Sequence, residues 1–174
     1  MTDQPSRLAR LIDRTAPIGQ LLQNLAVVVG IIATGGSFLA SIHDKRVQNV
    51  LSLRTEFASG AHGDYLKLLS DWHNSSADAF DGAEDAKRRE IVQHFFTKNE
   101  NENQDRLQNI ADFYDTLAAC IEQGSCDRDT AVYLFYTPAD HVIQISGFRI
   151  EDVRNNPSYS DFAVGVEKMY RSKE

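Results

Sequence analysis

Two cysteines among 174 residues exclude a disulfide scaffold and a four-cysteine zinc site. Bases are also scarce, 18 against 25 acids, for a formal net charge of -7. Bulk binding to nucleic acid needs a basic footprint, so the balance argues against it. No segment alternates with period two over more than a few residues, which excludes a half-buried sheet. None of the five histidines has a second one at i+3 to i+5, as a helical metal pair requires. No Glu-x-x-His occurs for a carboxylate-bridged di-iron bundle, and no G-x-S-x-G for a nucleophile elbow. Hydrophobic residues at 42% and charged residues at 25% exclude a disordered chain.

One long hydrophobic run is present. From Thr15 to Ile42, 28 consecutive residues carry no formal charge. Its dense part, Leu21 to Ile42, rises about 1.5 Å per residue as a helix and so spans roughly 33 Å, enough for a hydrocarbon core. A signal peptide has a shorter apolar region and small residues before its cut, where Phe38 and Leu39 stand here. The run therefore predicts a single membrane span over residues 18–42, after a tail over 1–17. Arg7, Arg10 and Arg14 precede it; Lys45, Arg46 and Arg54 follow, so the positive-inside rule does not decide the orientation. The three arginines of the tail share one helical face, which either lies on an anionic membrane surface or is a solvated end. Ala26, Gly30 and Thr34 are spaced by four, as are Ala33, Ser37 and Ser41. Small residues at that spacing let two membrane helices approach closely, so these six form a candidate packing face.

Residues 43–174 carry 15 bases and 23 acids, as expected of a water-facing domain. Val47, Val50, Leu51, Arg54 and Phe57 continue a 3.6-residue period out of the span, predicting one helix that ends near Gly60. Tyr65, Leu68, Leu69 and Trp72 predict a second helix. A polar loop over 74–86 precedes a third, which starts near Glu84 and carries Ile91, Val92, Phe95 and Phe96. The polar run 97–105 interrupts the pattern. Leu107, Ile110, Ala111, Tyr114, Leu117, Ala118 and Ile121 then form a strong stripe that Gly124 ends. Asp127 is the N-cap expected for a helix with Ala131, Leu134 and Phe135. Thr137-Pro138 and Asn156-Pro157 both read as helix starts. The last helix is expected to bury Tyr159, Phe162, Ala163, Val166, Met169 and Tyr170. The fold class is all-α: a single N-terminal transmembrane helix extending into a compact bundle of about five helices over 43–174.

The span running into a long helix, Phe113-Tyr114-Asp115, Gly124-Ser125-Cys126-Asp127, and Arg154-Asn155-Asn156-Pro157-Ser158-Tyr159 with Phe162 occur in that order. On these features the chain, over about residues 18–170, resembles a family of small bacterial single-span membrane proteins with a C-terminal helical domain of unknown function. Members often have Asn in place of Asp112 and Glu in place of Asp115. The resemblance implies an inner (plasma) membrane location with the helical domain in the cytoplasm, and implies no reaction.

The chemistry-bearing residues read mostly as structural. Glu90 with His94 and Asp140 with His141 are surface pairs lacking further metal ligands. Gly60-Ala61-His62-Gly63 lacks a phosphate-binding lysine and a preceding strand, so it is a turn. Asp112 and Asp115 share a helix face; one is expected to bond a neighbouring helix end and the other to face water, with Arg149 and Arg154 as available partners. Lys87-Arg88-Arg89 is a solvated basic cluster. Cys120 and Cys126 flank the Gly124 turn. In an oxidising space they can bridge; in a reducing cytoplasm they are core thiols, the reading that fits the implied compartment.

These readings lead to a non-enzymatic, membrane-anchored interaction protein, an accessory subunit or adaptor of a bacterial membrane complex. No cofactor and no metal is expected. The expected partners are the lipid bilayer and other membrane subunits or a second copy, not nucleic acid. The alternative is a self-associating sensor or effector in stress response or phage defence.

Overall fold

In the computed structural model the described backbone covers residues 7–98 and 100–172, and the described side chains are those of 29–30, 34–98 and 100–172. All the regular structure there is helical: α1 (Arg7–Ser59), α2 (Ala61–Ser75), α3 (Ala77–Phe80), α4 (Asp85–Lys98), α5 (Glu100–Glu122), α6 (Arg128–Arg154) and α7 (Val164–Arg171), with a 3-10 turn at Pro157–Tyr159. The all-α expectation holds. The chain divides into two compact units, Met1–Asp44 and Lys45–Glu174. Among the described residues no helix is long and apolar enough to cross a membrane. The predicted span lies largely outside the described side chains, which leave out 18–28 and 31–33, as does the tail over 1–17.

The second unit is built around the stripe on α5. Leu107, Ile110, Ala111, Tyr114 and Leu117 are all fully buried there. Val50 and Phe57 of α1, Leu68 and Trp72 of α2, Phe95 and Phe96 of α4, Phe135 and Ile150 of α6 and Val166 of α7 close around it. Leu51, on the same predicted stripe as Val50, is 44% exposed instead.

Five element boundaries differ from expectation. Of the turn expected at Gly60-Ala61-His62-Gly63 only Gly60 stays outside a helix, because the Gly63 amide bonds the Gly60 carbonyl at 3.0 Å and α2 starts at Ala61. Part of the loop predicted over 74–86 is helical, as α2 runs to Ser75 and α3 occupies Ala77–Phe80. Ser76 breaks the two: its amide closes α2 onto the Trp72 carbonyl and its own carbonyl accepts from Phe80. The polar run 97–105 lies mostly inside α5, because two of its polar neighbours are buried with partners. Asn103 donates to the Phe95 carbonyl at 3.2 Å, satisfying an acceptor of α4's last turn. Arg106 bonds Asp71 at 2.7 Å, Asn103 at 3.2 Å and Glu102.

Thr137-Pro138 does not start a helix; Pro138 lies inside α6. A proline there removes an N–H and crowds the preceding carbonyls. The carbonyl that loses its donor is that of Leu134; the adjoining Phe135 carbonyl accepts from the Tyr114 hydroxyl at 2.9 Å, fully buried, which ties α5 to α6 at this turn. Asn156-Pro157 starts only the 3-10 turn, with Asn156 Oδ1 accepting from the Ser158 amide. α7 waits until Val164, after Ala163 turns the chain through a left-handed φ of 56°. Tyr159 consequently stays 56% exposed and Tyr170 half-buried, whereas Phe162, Ala163, Val166 and Met169 are buried as expected.

Candidate interaction site

The candidate packing face is a repeat on α1. Gly30, Thr34, Ser37 and Ser41 are exposed, and spacing by four keeps each such set on one side of the helix. Ala26 and Ala33 lie outside the described residues. The Thr34 hydroxyl bonds back to the Gly30 carbonyl at 2.8 Å, so its polarity is absorbed by its own helix. A Cβ placed on Gly30, Gly35 or Gly36 meets nothing within 4 Å. The same stretch shows large apolar side chains to solvent: Val29 is 57% exposed, Phe38 65% and Leu39 69%. Isolated exposed apolar residues need no explanation, but three bulky ones within a run free of charge do.

The second feature is the turn between α5 and α6. Gly124 adopts a φ of +67°, which a side chain would resist, and reverses the chain. The Cys120 carbonyl accepts from both the Ser125 amide (3.0 Å) and the Cys126 amide (3.1 Å). This wrap sets the two cysteine Cα atoms 5.2 Å apart, and they are joined as a disulfide. The core-thiol expectation is therefore corrected: hydrogen bonding at the helix end holds the two cysteines at bridging distance. Asp127 caps α6 as predicted, accepting from the Thr130 amide at 2.9 Å and its hydroxyl at 2.6 Å. The turn is stitched to α1. Asn49 Nδ2 donates to the Ser125 carbonyl at 2.7 Å, and the Asp127 amide donates to the Arg46 carbonyl at 3.3 Å. Nothing in the pattern around Asn49 marked it for this role, because its partner lies 76 residues away.

The aromatic-acidic patch and the end segment meet around α7. Asp115 Oδ1 accepts from the Gly165 amide at 2.6 Å and so caps the start of α7 from across the helix pair. Burial is the main influence on the Asp115 carboxyl and raises its pKa above the ordinary aspartate value; the Gly165 amide opposes it. Arg154 Nε donates to the Phe162 carbonyl at 2.7 Å and Nη1 to Glu167 at 2.6 Å. Asp112 stays exposed and bonds Gln108 at 2.7 Å, while Arg149 turns to Gln104 at 3.2 Å. So of the two aspartates one bonds a helix end and the other faces water, as the spacing suggested. The motif residues position α7.

Clusters with chemical potential are few. Glu56, Asp64 and Asp112 line an open cleft of about 390 Å³ with Asn109, which donates to Asp64 at 2.9 Å. Among the described residues no group of His, Cys, Asp and Glu is arranged to hold a metal ion. Glu90 pairs with Lys87 at 2.8 Å, and that hydrogen bond lowers its pKa. His141 leaves Asp140 aside and meets the Tyr65 hydroxyl at 2.8 Å. Lys87, Arg88 and Arg89 diverge: Arg89 bridges to Glu151 and Asp152 on α6, both at 2.9 Å, so the cluster is partly a tie between helices. No protein-family model matches the chain, and neither a curated protein nor a solved structure does.

Proposed function

We propose that this is a membrane-anchored interaction protein, an accessory subunit or adaptor of a larger membrane complex, without a reaction of its own. The observation that supports this most is the exposure of Val29, Phe38 and Leu39 within a 28-residue uncharged run. Water is a poor solvent for such a surface, and a bilayer or a neighbouring membrane helix removes it from water. Tethering raises the effective concentration of the helical bundle beside its partner. The Cys120–Cys126 bridge favours an oxidising compartment, hence the outer side of a bacterial inner membrane, opposite to the side the family resemblance implies.

The test is purification of the full chain from its native membrane in a mild detergent, tagged at the C-terminus, with every co-purifying chain identified. A stoichiometric larger complex is the expected result. Recovery as a homo-oligomer alone refutes the subunit reading. It favours the self-associating sensor, for which the open surface over Gly30 is the supporting observation.

A further inference from the structure

A second cleft, of about 450 Å³, lies within the bundle between α2, α3, α4 and α6. That is the size range of small-ligand pockets. Its apolar wall includes Trp72 and Phe80, packed edge-on with ring centres 5.2 Å apart. Its polar lining includes Arg88, His141 and Gln144, with Asp81 as its acid.

Arg88 is in an unusual state. Four described arginines are not fully exposed: Arg88, Arg106, Arg149 and Arg154. Three of them donate hydrogen bonds to named acceptors. The Arg88 side chain donates none among the described residues. Its guanidinium lies 5.1 Å from the Phe80 ring centre, and its Nε is shielded from water with no acceptor. Its ion-pair partner Asp85 stands 3.9 Å away, too far for a hydrogen bond. Stacking therefore holds this cation in place while its forked donors keep no acceptor. A guanidinium so placed presents paired N–H groups that match a carboxylate or phosphate edge.

His141 adds a second donor. Its Nδ1 lies 2.8 Å from the Tyr65 hydroxyl, and that hydroxyl has no other hydrogen bond among the described residues. Tyr65 is buried, and a phenol enclosed there with no other acceptor can donate its hydrogen to Nδ1. With Nδ1 accepting, the ring's hydrogen is on Nε2.

We propose that this cleft binds a small organic anion with an apolar body. Its carboxylate or phosphate meets the Arg88 guanidinium and the His141 Nε2–H, and its body rests against Trp72 and Phe80. This inference does not depend on the membrane-anchor reading, since it uses only residues of the bundle.

Trp72 is the protein's one tryptophan and reports on the cleft directly. The full chain in detergent is titrated with phenylacetate, phenyl phosphate, the neutral phenylacetamide and inorganic phosphate, following Trp72 emission. Phenylacetate or phenyl phosphate is expected to change the emission saturably, with a dissociation constant on the order of 1 mM or tighter. Which of the two binds better identifies the anionic group. Arg88→Met is expected to weaken binding about tenfold or more, the range of a lost charged hydrogen bond, and Lys87→Met, which loses only a pair within its own helix, to leave it unchanged. As a measurement on the unaltered protein, phenylglyoxal modification of Arg88, mapped by mass spectrometry, is expected to slow when the bound anion is present. No saturable change with either aryl anion overturns the proposal. So does equal binding of phenylacetamide, or an unprotected Arg88. Binding of inorganic phosphate as tight as that of phenyl phosphate overturns the role of Trp72 and Phe80.

Discussion

Gly165→Ala is the substitution whose effect the packing dictates most sharply. On helix propensity alone, alanine in α7 gains about 1 kcal/mol over glycine. The structure reverses that sign. A Cβ at position 165 falls 2.2 Å from the Tyr114 carbonyl oxygen, 2.3 Å from its carbon and 2.5 Å from the Asp115 nitrogen. All three are backbone atoms of a buried helix, so no side chain can swing aside, and α7 must retreat by roughly 1 Å to clear the oxygen. Retreat stretches the 2.6 Å bond from the Gly165 amide to Asp115. Overpacking costs about 1–3 kcal/mol and a weakened charged hydrogen bond about 1.5–3 kcal/mol, against the propensity gain. The net expectation is a loss of about 1.5–5 kcal/mol, a large share of the 5–15 kcal/mol that holds a typical domain together. Urea unfolding followed by far-UV circular dichroism measures it. Gly147→Ala in α6 is the matched control: its Cβ meets only Ile143 Cγ2 at 4.0 Å, so that variant is expected to be neutral or slightly stabilising. A Gly165→Ala midpoint matching wild type refutes the close approach of α5 and α7.

Three further outcomes are expected. Because burial raises the Asp115 pKa, the folded state holds this proton more tightly than the unfolded chain does. The carboxylate's contribution to stability is then greatest below the ordinary aspartate pKa and declines as pH rises through the folded value. Asp115→Asn, whose amide oxygen can still accept from Gly165, should therefore gain on wild type between pH 4 and neutrality; a difference that stays flat with pH refutes this. Reducing the Cys120–Cys126 bridge, which closes a loop of seven residues, should cost roughly 2 kcal/mol by the chain-entropy relation. Alkylation without reductant, followed by mass spectrometry, should find both cysteines protected in the native protein, and labelling of either removes the bridge and the orientation it favours. Arg106→Met should destabilise the bundle by about 2–4 kcal/mol in thermal melts, because Asn103 loses a buried partner while Asp71 and Glu102 are exposed enough to rehydrate. A melt unchanged by this substitution refutes the buried role of Arg106.

Local signals carried most of the helix assignments. The α5 stripe, the Gly124 stop and the Asp127 cap all depend on residues within a few positions of one another, and all three appear in the structure. The uncharged run from Thr15 to Ile42 and the acid excess beyond it were likewise plain from the chain alone. The failures came where a distant group supplied what a local rule assumed missing. Pro138 sits inside α6, whose packing on α5, with Tyr114 bonded to the Phe135 carbonyl, outweighs the local start signal. Asn103 reads as part of a polar interruption until the Phe95 carbonyl gives it a partner. Cys120 and Cys126 were legible as neighbours, but the double hydrogen bond onto the Cys120 carbonyl brings them together. Arg88 looked like one more surface base; stacking on Phe80 without an acceptor distinguishes it, and no spacing rule encodes an absent partner. Periodicity and capping act over one or two helical turns, so linear order suffices to read them. Satisfying a buried polar group is a question of which helices touch, and only the folded chain answers it.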